Sequence, residues 1–282
     1  MQKLFFTATL CVLLLCATRA NAAPLVSSSL RFYGNGANDI DRVKIKLDAP
    51  ARPIDVGGKF TIEWWMKANA GENTATVSCD ANDGWIYGDI VIDRDVYGAG
   101  DNGDYGIALN EGRVAFGVSR GNEGNTICGN TDVTDGQWHH VAVTRHKKTG
   151  ALKIFVDGVL DASGPGASGN VSYRDGRATD YPNSDPYLVI GAEKHDAGAP
   201  TNSYHGWMDE LRISKGLRYK QNFTRPSQPF VTDDRTRGLY HFDEASGDTL
   251  NDSSNAVGGP SHGTRKFGGS PAGPVWSSDS PF

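Results

Sequence analysis

Short runs in which apolar and polar side chains alternate recur along this chain, separated by stretches rich in Gly, Asp, Asn and Pro. Alternation with period two places successive side chains on opposite faces of an extended strand, so each run predicts a half-buried β-strand. Eleven are legible: 30–33, 43–47, 60–67, 89–93, 105–110, 114–119, 138–145, 152–156, 187–192, 207–214 and 239–242. In the third, Phe60, Ile62, Trp64 and Met66 share the face expected to enter the core. Trp65 is left among polar neighbours on the other face, where a large aromatic packs under a loop or offers a binding platform. Asp157-Gly158 supplies the positive φ angles of a tight hairpin into Val159 and Leu160.

No long helical periodicity interrupts this pattern, and 35 glycines suit many short strands joined by turns. The segment 161–186 lacks apolar periodicity and is expected as a long loop. Segment 218–237 reads as an extended connection, and Val275-Trp276 as the part of the Gly/Ser/Asp-rich tail that docks back on the sandwich. The class expected is all-β, a two-sheet antiparallel β-sandwich.

One apolar run stands apart. Lys3 followed by Leu4 through Ala17 and the small-residue pattern Ala20-Asn21-Ala22 reads as a cleaved signal peptide over residues 1–22. The run is shorter than the roughly 20 residues of a spanning helix, so no membrane insertion is expected. The remaining chain is expected to be exported, as a secreted, cell-surface or periplasmic protein. The full chain's formal net charge is −5, and the exported part is more negative because Lys3 and Arg19 leave, which argues against a phosphate-tracking nucleic-acid binder. Of four cysteines, Cys79 and Cys128 survive the cleavage. An even pair in an oxidising compartment is expected to form a disulfide, and neither lies in a Cys-x-x-Cys or Cys/His metal pattern.

The runs 60–65 (Phe-Thr-Ile-Glu-Trp-Trp), 103–106 (Gly-Asp-Tyr-Gly), 136–140 (Gly-Gln-Trp-His-His), 155–158 (Phe-Val-Asp-Gly), 190–191 and 206–213 (Gly-Trp-Met-Asp-Glu-Leu-Arg-Ile) occur in this order. Together they resemble the laminin-G-like jelly-roll domains of the concanavalin A-like lectin and glucanase superfamily. The resemblance covers about residues 30–214 and implies a concanavalin A-like jelly roll. The expected organisation is one domain over 23–282, with this core and a C-terminal extension, 215–282.

Related sandwiches place a structural Ca²⁺ against an Asp equivalent to Asp209, with main-chain carbonyls completing the shell. Alternation with Trp207, Leu211 and Ile213 sends the Asp209 carboxylate inward, where it requires donors or a cation. Ca²⁺ ligation and a hydrogen-bonded strand residue are both open. A second acidic group, Asp93, Asp95, Asp101 and Asp104, matches the calcium-loop template poorly because Tyr97 stands at a ligand position, and it reads as a solvated turn.

The candidate ligand-binding set is Trp85, Tyr87, Asp93, Arg94 and Tyr97, an aromatic platform beside polar groups that could bond sugar hydroxyls. Catalysis is not expected. No Glu-x-Asp-x-Glu pair, Gly-x-Ser-x-Gly elbow or His-Glu-x-x-His motif occurs, and His139 and His140 are expected to pack and to bond backbone. The function expected is a non-catalytic binding module for carbohydrate or an extracellular protein. The alternatives are a divergent glycoside hydrolase or polysaccharide lyase, and a structural or adhesive module.

Overall fold

A computed structural model describes residues 27–35, 41–97, 103–173, 179–181, 183, 185–194 and 201–282. The proposed signal peptide and Asp101 lie outside the described residues. In chain order the strands are β1 (Ser29–Tyr33), β2 (Arg42–Lys46), β3 (Phe60–Lys67), β4 (Asp89–Arg94), β5 (Gly103–Asn110), β6 (Arg113–Arg120), β7 (Glu123–Asp132) and β8 (His139–Arg145). They continue as β9 (Leu152–Val156), β10 (Val159–Gly164), β11 (Tyr187–Ile190), β12 (His205–Lys215), β13 (Thr236–Tyr240), β14 (Thr249–Leu250), β15 (Gly263–Lys266) and β16 (Val275–Ser277).

These strands form two antiparallel sheets. The first runs β10-β9-β8-β3-β12-β1-β16, with β13 also paired to β12; the second runs β14-β15-β2-β11-β4-β5-β6-β7. All eleven expected strands are present within a few residues. The C-terminal extension is woven into the sandwich, since β13 and β16 pair in the first sheet and β14 and β15 in the second. Val275-Trp276 docks through β16 against β1, with Leu30 opposite Trp276.

The core lies between the sheets. Phe60, Ile62, Trp64 and Met66 from β3 meet Tyr105, Ile107 and Leu109 from β5 and Val114, Phe116 and Val118 from β6. This alternation is the period the sequence displays. Trp65, on the other face of β3, is 3% exposed and packs with Phe230, Leu239 and Trp138. It therefore lies under the 218–237 connection.

That connection is tied down by a buried carboxylate. Glu63 Oε1 accepts from Arg212 Nε at 2.9 Å, and Oε2 accepts from Tyr219 Oη at 2.7 Å, with His140 Nε2 at 3.3 Å. The sequence leads one to expect both Trp-His-His histidines to bond backbone, whereas the ring bonds they make run to carboxylates. His139 Nδ1 lies 2.7 Å from Asp157 and its Nε2 lies 3.0 Å from Asp135, while His140 faces Glu63. The cleft lined by Trp85, Tyr87, Tyr97 and Tyr181 belongs instead to the outer face of the second sheet.

Candidate functional site

The outer face of β5 and β6 is built from small residues. Gly106 and Gly117 stand opposite each other in the pairing, as do Ala108 and Ala115. The resulting trough receives the indole of Trp85, carried by a short 3-10 turn, Gly84–Tyr87. Three links hold the segment bearing that turn to the edge strand β7. Cys79 is disulfide-bonded to Cys128 with Cα atoms 5.8 Å apart, the Asp80 amide donates to the Thr126 carbonyl at 2.8 Å, and the Trp85 amide donates to Thr126 Oγ1 at 3.2 Å.

Beside the indole a cleft of 370 Å³ opens, lined in part by Trp85, Tyr87, Asp93 and Tyr97. The structure thus brings four of the five expected binding residues around one concavity. Trp85 forms floor, being 1% exposed, whereas Tyr87 and Tyr97 are 61% and 57% exposed at the rim. Tyr181, in the long loop, completes the rim: it is 46% exposed and stands edge-on to Tyr97 with ring centroids 5.3 Å apart. The two tyrosines are positioned together, because the Tyr97 carbonyl accepts from the Asp180 amide at 2.9 Å and from Thr179 Oγ1 at 3.0 Å.

Arg94 does not belong to this set. Asp93 pairs with Gly106 and Arg94 with Tyr105, so the two neighbours face opposite sides of the sheet. Arg94 is fully buried, lies 4.9 Å from the Tyr105 ring centroid, and donates to the Gly103 and Val171 carbonyls. Strand alternation forbids Asp93 and Arg94 from sharing a surface.

The polar side of the cleft is acidic, with Asp93, Asp95 and Glu193 among its walls. Burial, reinforced by repulsion from Glu193, pushes the Asp93 carboxyl up to about 7 despite Lys194 nearby. Both of its oxygens are engaged: Oδ1 accepts the Asp95 amide at 2.8 Å and Oδ2 the Lys194 amide at 2.9 Å. Asp104 is also buried and holds the Val96 amide at 2.6 Å, its pKa pushed up to about 8 by burial and by Asp95. These carboxylates are turn anchors, not the solvated group the sequence suggested. Tyr181 and Glu193 escaped the sequence reading, the first because it lies in a loop without periodicity, the second because it follows a strand end.

Asp209 occupies a different place from the one alternation predicts. The β12–β3 register shifts between Asp209 and Arg212, and Glu210 takes a φ of 50°, so the strand bulges there. Met208, Leu211 and Ile213 enter the core, whereas Asp209, opposite Trp65, lies on the outer face of the first sheet. It is nonetheless 1% exposed. Burial, with repulsion from Glu210 and Asp243, pushes its carboxyl up to about 9.

Oδ1 accepts the Glu210 amide at 2.8 Å. The Ser280 hydroxyl lends some relief, but Oδ2 accepts no hydrogen bond among the described residues. Glu210 is committed elsewhere, to the Phe230 amide at 2.7 Å and to His241 at 2.6 Å. An orphaned buried carboxylate oxygen fits one ligand of a hard cation. Among the described residues no group of three or more His, Cys, Asp and Glu side chains is placed to hold a metal, so carbonyl oxygens would have to complete a shell.

Two antiparallel sheets around one core, with a ligand-sized cleft on the outer face of the second, define a concanavalin A-like sandwich. The chain belongs to the Laminin_G_3 family of the concanavalin A-like lectin/glucanases superfamily, whose pattern matches residues 41–221. It is 33% identical over 96 residues to the rat "Sushi, von Willebrand factor type A, EGF and pentraxin domain-containing protein 1", and 32% identical over 96 residues to the mouse protein of that name. Each match covers 33% of this chain and 2% of the relative. Among solved structures, a Bacteroides ovatus ATCC 8483 protein whose name proposes carbohydrate binding shares the fold with a TM-score of 0.52. The identity is 15%, over 89% of this chain and 61% of that one.

Proposed function

We propose that this protein is an exported, non-catalytic binding module whose aromatic cleft takes a carbohydrate. The observation that carries the reading is the convergence of Tyr87, Tyr97 and Tyr181, all solvent-exposed, over a Trp85 floor with carboxylates alongside. Exposed rings suit the apolar faces of a sugar, and neighbouring acceptors suit its hydroxyls. The Bacteroides structure is consistent with this reading through its fold. An extracellular protein that offers the same apolar and hydroxyl-bearing surface is the other occupant tested below.

The disulfide supports export, since such bonds persist in oxidising compartments. Among the described residues no helix is long and apolar enough to cross a membrane. Asp209, with Asp243 nearby, is proposed as the acidic contribution to a structural Ca²⁺ site, on the strength of the orphaned Oδ2.

A glycosidase reading draws on Asp93, a carboxyl near neutrality beside Glu193. It is weakened by the geometry, because both Asp93 oxygens hold backbone amides and neither is presented to a leaving group. Titration of a glycan array and of extracellular-matrix proteins, with wild type, Tyr97→Ala and Tyr181→Ala, tests the assignment. Each substitution is expected to weaken the glycan by roughly three- to tenfold with the fold intact. Binding that ignores both substitutions would remove the cleft from the function, and polysaccharide turnover lost in Asp93→Asn would make the protein an enzyme.

A further inference from the structure

A second cleft, sharing no lining residue with the aromatic one, measures 660 Å³ and lies where the ends of β3, β12 and β13 meet segments 53–58 and 170–172. Three cations line it: Lys59, Lys215 and Arg237. Lys59 immediately precedes β3, and its carbonyl accepts the Gly216 amide at 2.7 Å. Lys215 ends β12 opposite Phe60. Arg237 lies in β13, which pairs with β12 through Gly238 opposite Ile213 and Thr236 opposite Ser214. Paired strands are about 4.8 Å apart, so three adjacent strands deliver a positive charge to the same end of the sheet.

None of the three has an ion-pair partner among the described residues. Arg237 donates through Nη1 to the Asp234 and Thr236 carbonyls at 3.2 and 2.7 Å, which orients the guanidinium without neutralising it. The acid in the wall, Asp55, is buried and accepts the Tyr173 amide at 3.0 Å. In a chain with net charge −5, folding does not require three unneutralised bases around one concavity. Like charges on neighbouring strands repel, and an anion between them relieves the repulsion.

The other lining groups describe the rest of the ligand. Asn170 and Ser172 add polar groups, hydrogen-bonded to each other at 3.1 Å, while Pro53 and the fully exposed Val257 add an apolar rim. The volume falls in the range of roughly 300–1,000 Å³ usual for small-ligand sites. A long polyanion such as nucleic acid would meet the acidic remainder of the surface. We infer that this cleft is a second binding site, for an anionic sugar unit bearing a sulfate ester or a uronate carboxylate.

Calorimetric titration of the full protein with a chondroitin sulfate tetrasaccharide, tetragalacturonate and neutral cellotetraose tests the inference. At least one charged ligand is expected to bind, and the two charged arms show whether sulfate or carboxylate is preferred. Lys59→Ala/Lys215→Ala should weaken that binding by about tenfold or more. Lys147→Ala/Lys148→Ala, which removes the same charge from an exposed turn, should leave it unchanged. Because the cleft substitutions remove repulsion, the double variant should melt no lower than wild type in the absence of ligand. The inference is overturned if neither charged ligand binds, or if the cleft and turn variants weaken binding equally. Neither result would touch the aromatic cleft, for which any binding of cellotetraose should survive the Lys59/Lys215 double substitution.

Discussion

A Cβ placed on Gly106 would lie 2.1 Å from Trp85 Cζ3, so the indole occupies the space that any other residue at 106 would claim. Gly117 stands in the same relation to Trp85 Cδ1, also at 2.1 Å. The floor of the aromatic cleft is therefore written into two glycines of the opposite strands. Gly106→Ala is expected to displace Trp85, destabilise the protein by about 1–3 kcal/mol through overpacking, and weaken glycan binding. Urea unfolding and Trp fluorescence check the first two effects; unchanged emission and unchanged affinity would show that Trp85 is not the floor.

The disulfide acts on the same floor from the other side. Cys79 and Cys128 are 49 residues apart in sequence, and closing a loop of that length stabilises the fold by about 4 kcal/mol in the chain-entropy picture. Thr126 holds the segment at two further points. Cys79→Ser/Cys128→Ser should therefore lower the melting temperature and loosen the segment carrying Trp85 and Tyr87. Amide hydrogen exchange across residues 78–88 should rise more than exchange in β3 or β12. Equal protection in both regions would mean the bond stabilises the chain without positioning the cleft.

The two sheets were legible because their strands alternate aromatic or branched side chains with polar ones, and β3 is the clearest case. Strand β7 was not legible. Of its residues only Ile127 joins the main core, and an edge strand polar on both faces carries no period-two signal. The bulge at Glu210 was also hidden, since no glycine marks it, and one extra residue is enough to move Asp209 to the opposite face. In the candidate site the aromatic residues near 85–97 were visible as a cluster. Arg94 was grouped with them against the alternation of its own strand, and Tyr181 came from a loop whose path no local pattern encodes.

His139 and Asp157 give the fold an acid-side dependence that can be signed. Burial alone would raise the Asp157 carboxyl, but hydrogen bonds from His139, the His140 amide and Arg225 outweigh it and bring the pKa down to about 2. Its contribution is then fully present above the ordinary value near 3.8 and is lost as pH falls through about 2. His139 is raised, first by its hydrogen bond to Asp157, so its contribution is complete below its ordinary value near 6.5 and fades as pH climbs through the raised folded value. Asp157→Asn keeps a residue that tolerates the φ of 49° at this turn while removing the charge. It should cost about 1 kcal/mol at pH 5 and progressively less toward pH 2, as read from urea midpoints. A cost independent of pH would assign the loss to the turn instead of the ion pair.

Asp209 should impose the opposite slope over neutral pH. Its carboxyl ionises near 3.8 when unfolded and near 9 when folded, because burial, Glu210 and Asp243 oppose the charged form. Between those values the native state holds the proton that the unfolded chain has released. Stability therefore falls as pH rises, by at most about 1.4 kcal/mol per pH unit from this group. In chelator, Asp209→Asn should flatten the decline from pH 5 to 9, since an amide keeps the shape without the charge. A Ca²⁺ ion held by the orphaned Oδ2 would displace that proton and bind only the folded state. It should raise wild-type stability by about 2.7 kcal/mol at a hundredfold excess over its dissociation constant, and more strongly at pH 8 than at pH 5. The variant should lose most of this response. If wild type melts at the same temperature in chelator and in millimolar Ca²⁺ at both pH values, Asp209 is a protonated strand residue and holds no cation.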